Sequence, residues 1–403
     1  MGIEVSFTTK IETFVAHEGL KISYTSKQLG EEIHIKSASL LFEQGVNTVD
    51  IHMTDWDGIP AFFQTSEQSI IPYDIFAASF YLLSRYEEYL PHMKDEQGRF
   101  PAKESMAFQK GFLALPLVDL WIARFKKIIT QKNTAIHYKE KEYKVSIAVE
   151  VQRAFAYRKI GFLRTLGGYG RDLMKFHFKQ LFLRTQVLIG FRKDPFNSYS
   201  WLIQIQKRTQ HKLQLFFALG DYSSDNRVIK HSKTDLQSLL KMIADYSDLG
   251  LLVSKDATRS ATTLKKERKR METISLRSLK AVKMIHNSIE LPSTYQNILE
   301  EEVTTDYSMS YPDQAGFRAS TCSPFLFYDL NNEIQTPLLL CAPCFHIDQV
   351  YNTNKRTIDT LLINTYKETI QKLNGLYLIT FSNESLSHKV VRNFFKETLT
   401  HES

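Results

Sequence analysis

The chain has 403 residues, 43% of them hydrophobic and 24% charged, with a formal net charge of +7 at neutral pH. This composition excludes a disordered polymer and gives enough apolar residues for about two domains. No apolar run reaches the length of a membrane span, residues 338–345 being far too short, and residues 1–17 have no apolar core of signal length; a cytoplasmic protein that does not span a membrane is expected.

In chain order, residues 5–8, 22–25, 32–41, 48–53 and 61–65 are short alternating or β-rich runs separated by turn residues. Residues 73–90 carry Ile75, Phe76, Phe80, Leu82, Leu83, Tyr86 and Leu90 at helical spacing, and residues 116–129 open on a proline and continue as a second helix. Residues 131–143 are polar and lysine-rich and mark a domain boundary. From Lys144 the pattern changes to strands alternating with helices. Strands are expected at 145–151, 213–219, 250–253, 303–305, 338–341 and 375–381, and helices at 166–189, 198–208, 233–247, 260–273 and 358–373. Alternation of this kind implies a parallel sheet or barrel with ligands at the carboxyl ends of the strands. Residues 305–348 are dense in Tyr, Phe, Asp, Arg and Gly without a clear period, and Asp306, Arg318 and Asp348 are candidates to line one pocket.

Charge and cysteine content narrow the partners. Residues 153–193 hold ten Lys and Arg against one acid, Asp172, a surplus of nine that exceeds the net charge of the whole chain. A charge run is ordinarily a solvated helix face, and a surplus this local also suits an anionic partner such as a phosphorylated glycan carrier, an acidic polymer or a membrane surface. No nucleic-acid-binding motif accompanies it. Residues 265–270 interleave with Glu267 and Glu272 and read as an exposed helix. Of the three cysteines, Cys341 and Cys344 have the spacing of a metal or redox pair, but no second pair or histidine cluster completes a zinc set. All three, Cys322 included, are read as small buried residues.

Several short segments together resemble the bacterial polysaccharide deacetylase (NodB-homology) family in its form with an extra N-terminal domain. In the first half these are Tyr73-Asp74-Ile75-Phe76-Ala77-Ala78, Leu83-Ser84-Arg85-Tyr86-Glu87-Glu88-Tyr89 and Gly98-Arg99-Phe100. In the second half they include Ala154-Phe155-Ala156-Tyr157, Asp194-Pro195-Phe196, Leu291-Pro292-Ser293-Thr294-Tyr295, Thr305-Asp306-Tyr307-Ser308-Met309 and Gly316-Phe317-Arg318-Ala319. The resemblance implies a distorted (β/α) barrel at residues 144–403, preceded by a smaller α+β domain at residues 1–135. It also implies a metal-dependent hydrolase that removes acetyl groups from sugars. Such chemistry needs a divalent metal held by a carboxylate and two histidines, a carboxylate base and an acid histidine.

The motifs that would supply these groups are degenerate. Where the family has Asp-x-Asp this chain has Glu150-Val151-Gln152; Glu150 is retained as a residual base, but Gln152 is a neutral, weak ligand. Leu252 and Ile285 stand where the resemblance expects histidines, His286 is one residue out of register, and Ser382 replaces the acid histidine. Arg318, Asp306, Asp348, Asn383 and Glu384 match family positions. Arg318 and Asp348 join Glu150 as the residual catalytic set, and Asp306, Asn383 and Glu384 are binding candidates.

Two readings follow. In the first the protein is a pseudoenzyme without a metal that binds a glycan, a phosphorylated sugar or a protein of a polysaccharide assembly system. In the second it is an active deacetylase, with a metal such as zinc, that uses Glu150, His286 and a shifted ligand set such as His346 and Asp348.

Overall fold

The computed structural model describes residues 2, 4–66, 69–133, 136, 139–221 and 229–400. Four short strands open the chain. β1 (Ile22–Thr25) pairs in parallel with β2 (Ile33–Lys36), and β3 (Thr54–Trp56) pairs antiparallel with β4 (Ile59–Ala61). The turn between β3 and β4 is Asp57-Gly58, both at positive φ (48° and 83°), the conformation a two-residue hairpin loop demands. Residues 5–8, expected as a strand, are exposed and unpaired with any strand. Residues 48–53 alternate as expected, and Val49, Ile51 and Met53 pack on the core, but no neighbouring strand takes their backbone. Alternation reports which side chains face inward; it does not supply a ladder partner.

The helix Ile75–Leu83 starts where Asp74 caps it, accepting from the Phe76 and Ala77 amides. Asp74 also accepts from Tyr24 Oη and the Ala38 amide, both at 2.7 Å, so one buried carboxylate fixes helix, strand and loop together. The expected helix at 73–90 stops early because Arg85 takes a left-handed conformation (φ 57°), turning its guanidinium inward. The helix Leu117–Lys132 follows.

The alternating part then unfolds in order: β5 (Lys144–Val151), β6 (Gln214–Phe217), β7 (Asp248–Val253), β8 (Ala281–Met284) and β9 (Thr305–Asp306). Each pairs in parallel with the next. The helices Tyr199–Thr209, Thr234–Ala244, Ala261–Ser275 and Ser293–Glu300 lie between them in the chain. An antiparallel hairpin, β10 (Phe325–Asp329) and β11 (Ile334–Leu340), comes next. It is followed by β12 (Phe345–His346), a small hairpin of β13 (Tyr351–Asn352) and β14 (Thr357–Ile358), and β15 (Leu376–Ser382). These strands belong to one sheet of order β10-β11-β9-β8-β7-β6-β5-β15-β12, whose two end strands do not pair with each other, giving a distorted (β/α) barrel that does not close. Its strands are almost continuously buried, as parallel strands covered on both faces must be. Among the described residues no helix is long and apolar enough to cross a membrane.

The single helix expected at 166–189 is two, Phe162–Met174 and Phe178–Leu188. The chain reverses at Phe176, at φ 54°, where the His177 amide donates to the Asp172 carbonyl. The last turn of one helix is thereby closed before the next begins.

The chain divides into two compact units, Met1–Lys144 with Met309–Cys344 and Asn364–Tyr377, and Val145–Ser308 with Phe345–Ile363 and Leu378–Ser403. The sequence expectation had all of 144–403 in one domain; residues 309–344 and 364–377 instead gather with the first unit. The expected domain end at residue 135 lies outside the described residues. Within the first unit Asp119 accepts from the Thr321 hydroxyl at 2.6 Å, the Cys322 amide at 2.9 Å and the Ser323 hydroxyl at 2.6 Å, binding the returning segment to the Leu117–Lys132 helix. Gly316 meets Leu113 so closely that a Cβ would lie 2.6 Å from the Leu113 side chain. All three cysteines are buried as thiols, and burial beside Asp119 pushes the Cys322 thiol up.

Glu88 is the strongest such tie. Arg318 donates to both its oxygens at 2.9 and 2.6 Å, and Arg85 adds a third bond at 2.7 Å. The two guanidiniums hold the Glu88 carboxyl down at about 2, against about 4.5 for a free glutamate, although burial opposes them. A carboxyl with a depressed folded pKa stabilises fully above its unfolded pKa, and this contribution is lost as pH falls towards the folded value. Urea unfolding of the wild type should therefore lose roughly 3 kcal/mol from this group between about pH 4.5 and pH 2. Glu88→Gln should lose about 3–5 kcal/mol at neutral pH and flatten that acid limb. An acid limb unchanged by the substitution would contradict the assignment.

Candidate functional site

Parallel strands bring together at their carboxyl ends residues far apart in sequence. In the second unit this end carries Glu150 on β5, Asn383 and Glu384 after β15, and Asp348 after β12. The Asn383 amide donates to the Glu150 carbonyl at 2.9 Å, and its side chain donates to the Arg153 carbonyl at 2.8 Å. Asn383 is 3% exposed and clamps β15 to the loop after β5, which leaves its carboxamide little to offer a ligand. Glu384 is exposed and pairs with Arg153 at 3.2 Å, whose guanidinium also lies 5.1 Å from the Phe196 ring. Asp348 lies 3.5 Å from His346 Nδ1 and within electrostatic reach of Glu150 and Glu384. Desolvation pushes its carboxyl up, His346 opposes this and the two glutamates add to it; with 59% of its side chain exposed, water screens much of the effect.

The residue that organises this end is one the sequence reading passed over. Lys283 sits in β8 with its side chain 1% exposed, and its ammonium has three partners: Glu150 Oε1 at 3.3 Å, Asn287 Oδ1 at 2.8 Å and the Tyr307 carbonyl at 2.9 Å. Three acceptors match the three protons of an ammonium. The chain reaches this arrangement at a conformational cost, since His286 and Asn287 are both left-handed (φ 53° and 54°). That double turn brings the Asn287 carboxamide back onto Lys283 and leaves the His286 side chain exposed. Asp306 is wholly buried beneath, accepting from Tyr295 Oη at 3.0 Å and from the Ser308 amide and hydroxyl at 2.9 and 2.5 Å. Burial pushes its carboxyl up against the pull of Ser308, Tyr295 and Lys283. It fastens β9 to the helix Ser293–Glu300.

Of the expected site residues, Glu150, Asp348, Asn383 and Glu384 meet at one end of the sheet, and Asp306 lies under it. Arg318 does not join them. It belongs to the first unit, is 0% exposed, and is committed to Glu88 and the Ser310 carbonyl, so a ligand arriving from solvent has no surface of it to touch. The three positions where the resemblance expects metal ligands offer poor donors. Leu252 and Ile285 are buried hydrocarbon, and Gln152 is a half-buried neutral amide. Leu252 is the register partner of Lys283, which places the lysine and the leucine at that expected position side by side. Among the described residues no group of three or more His, Cys, Asp or Glu is placed to share a metal ion. A lysine inside Ala281-Val282-Lys283-Met284 was the sequence signal for this site, because a charge in a short apolar run must find partners or stay out of the core.

Residues 1–134 match a family of unknown function, DUF7033. No curated protein matches the chain. Among solved structures, a candidate polysaccharide deacetylase from Mycobacterium smegmatis is similar at 9% identity and a TM-score of 0.43, over 66% of this chain and 86% of its own. A candidate polysaccharide deacetylase from Pseudomonas aeruginosa is similar at 8% identity and a TM-score of 0.38, over 65% and 85%. A CE4-family pseudoenzyme from Bacillus anthracis is similar at 9% identity and a TM-score of 0.33, over 65% and 62%.

The Lys283 arrangement is open to a direct test. Lys283→Met should cost about 3–5 kcal/mol, because it strands the Glu150 carboxylate against the core. Glu150→Gln in the Lys283→Met background should recover part of that loss, giving a favourable coupling in a double-mutant cycle read by urea unfolding. Strictly additive effects would mean that the two groups do not act as a pair.

Proposed function

We propose that this chain is a polysaccharide-deacetylase-like protein without metal-dependent catalysis. On this reading it is a pseudoenzyme that binds a glycan, a phosphorylated sugar or a protein partner of bacterial cell-surface polysaccharide assembly. The observation that carries the reading is the Lys283 ammonium against Glu150. The group that would act as base is already an ion-pair partner, and a divalent cation brought beside a fixed ammonium meets like-charge repulsion in a poorly solvated site. Leu252 and Ile285 add no lone pair to offset it. These residues therefore make a poor cation site.

Binding has separate support. The strand ends carry two exposed carboxylates, Asp348 and Glu384, together with Arg153 and the half-buried ring of Tyr307. Carboxylate and guanidinium groups bracket sugar hydroxyls with directional hydrogen bonds, and an aromatic face covers the apolar side of a pyranose. The His346–Asp348 turn favours the second reading, an active N- or O-deacetylase with a rearranged site, since His346 Nδ1 accepts from the Asp348 amide at 3.2 Å and so leaves Nε2 to carry the proton an acid or base needs.

Metal content after dialysis against zinc, acetate release from N- and O-acetylated oligosaccharides with added zinc or cobalt, and glycan binding by calorimetry separate the two. The pseudoenzyme reading expects no stoichiometric metal, no acetate release, and glycan binding weakened at least tenfold by Asp348→Ala with Glu384→Ala, a loss of about 1.4 kcal/mol. One zinc retained per chain, with acetate release abolished by Asp348→Asn, would replace it with the hydrolase.

A further inference from the structure

The helices Phe162–Met174 and Phe178–Leu188 make a hairpin with two unlike sides. Its inner side is ordered by a buried ion pair, Arg184 to Asp172, through two bonds of 3.0 and 2.7 Å. Tyr169 Oη and Thr185 Oγ1 bond at 2.8 Å beside it, and the Arg184 guanidinium lies 4.8 Å from the Tyr157 ring. Gly168 is the residue that lets Arg184 through, because a Cβ there would stand 2.3 Å from Arg184 Nη1. The hairpin is therefore a built element.

Its outer side is the opposite of what a solvated surface needs. Phe162, Leu163, Met174, Phe176 and Phe191 are 77%, 82%, 82%, 77% and 84% exposed. Around them Arg164, Arg171, Lys175, Lys179, Arg192 and Lys193 are exposed as well. The one acid of the segment, Asp172, is buried with Arg184 on one oxygen and Arg171 3.6 Å from the other, so the remaining cations leave the outer side positive and apolar at once.

We propose that this hairpin docks on a bilayer surface carrying anionic lipid headgroups. Apolar and aromatic side chains interleaved with Lys and Arg are the composition of helices that lie in the headgroup region, with hydrocarbon below and phosphates beside the cations. A soluble polyanion would satisfy the charges and leave the large apolar side chains in water. A second copy of the chain would cover the apolar side chains and set like charges against each other. The bilayer meets both requirements together. This surface is independent of the strand-end site and of its chemistry, and it makes the protein peripheral to the membrane.

Co-sedimentation of the full chain with phosphatidylcholine vesicles, and with phosphatidylcholine vesicles containing phosphatidylglycerol, tests the proposal. Binding is expected to the anionic vesicles only and to weaken as salt is added. Replacing Lys175, Lys179 and Lys193 with Gln should lower the affinity about a hundredfold, at about fivefold per charge. Replacing Phe162, Leu163 and Met174 with Ser should also release the protein from the vesicles, although every positive charge remains. All six positions are exposed, so unchanged thermal unfolding should accompany both losses. Failure to bind anionic vesicles overturns the proposal, as does binding that either variant leaves intact. Capture by soluble dextran sulfate without vesicle binding, or a dimer in solution that the Ser variant dissociates without vesicle binding, overturns it in favour of those occupants.

Discussion

Glu88 between two arginines is the constraint on which the first unit depends. Its carboxylate receives Arg318 from 230 residues away and Arg85 from three residues away, all three side chains out of water. Two cations on one anion leave a positive excess that the structure spreads further. Arg85 also donates to Glu87 at 2.7 Å, Glu87 takes the Met106 amide at 2.7 Å, and the Phe100 ring lies 5.9 Å from both guanidiniums. Desolvating three charges is unfavourable taken alone, and the network offsets it only when every polar hydrogen near the centre is matched. This all-or-none quality makes the returning segment 309–344 a structural part of the first unit. It also removes from any binding role the arginine that looked, by its motif, most suited to one.

The second unit solves a similar problem with the sign reversed. There a single cation, Lys283, gathers a carboxylate, a carboxamide and a carbonyl. The left-handed pair His286 and Asn287 is the conformational cost of placing the third acceptor. In both units a buried charge draws distant segments into register where apolar packing alone would allow sliding, and in both the charge sits on a residue that an apolar pattern treats as a blemish.

That bears on how much was legible in the sequence. The strands β5, β6, β7 and β15 were visible because each is an apolar run bounded by polar turns, the signature of a strand covered on both faces. The gathering of Glu150, Asp348, Asn383 and Glu384 at one end followed from parallel strand order. β8 was invisible because it is four residues long and one of them is Lys283. The break at Phe176 was invisible because phenylalanine has no preference for positive φ, and the ion pair that imposes the reversal spans twelve residues. Arg318 was misplaced for a related reason. A motif fixes which residue is retained, while its partner, 230 positions earlier, decides whether that residue faces solvent or core.

The register pairing of Leu252 with Lys283 sets the order in which a cation site could be engineered into this chain. Histidines placed at positions 252 and 285 and an aspartate at 152 would supply lone pairs, yet the new imidazole at 252 would arrive beside an ammonium already satisfied by Glu150. The cheapest outcome would be a protonated or displaced histidine, and the added side chains would lower stability without creating a cation site. Removal of Lys283 has to come before the ligands. The asymmetry also holds in the other direction: with Lys283 replaced alone, Glu150 is left as a nearly buried carboxylate without its cation, so single substitutions towards a cation site pass through less stable proteins.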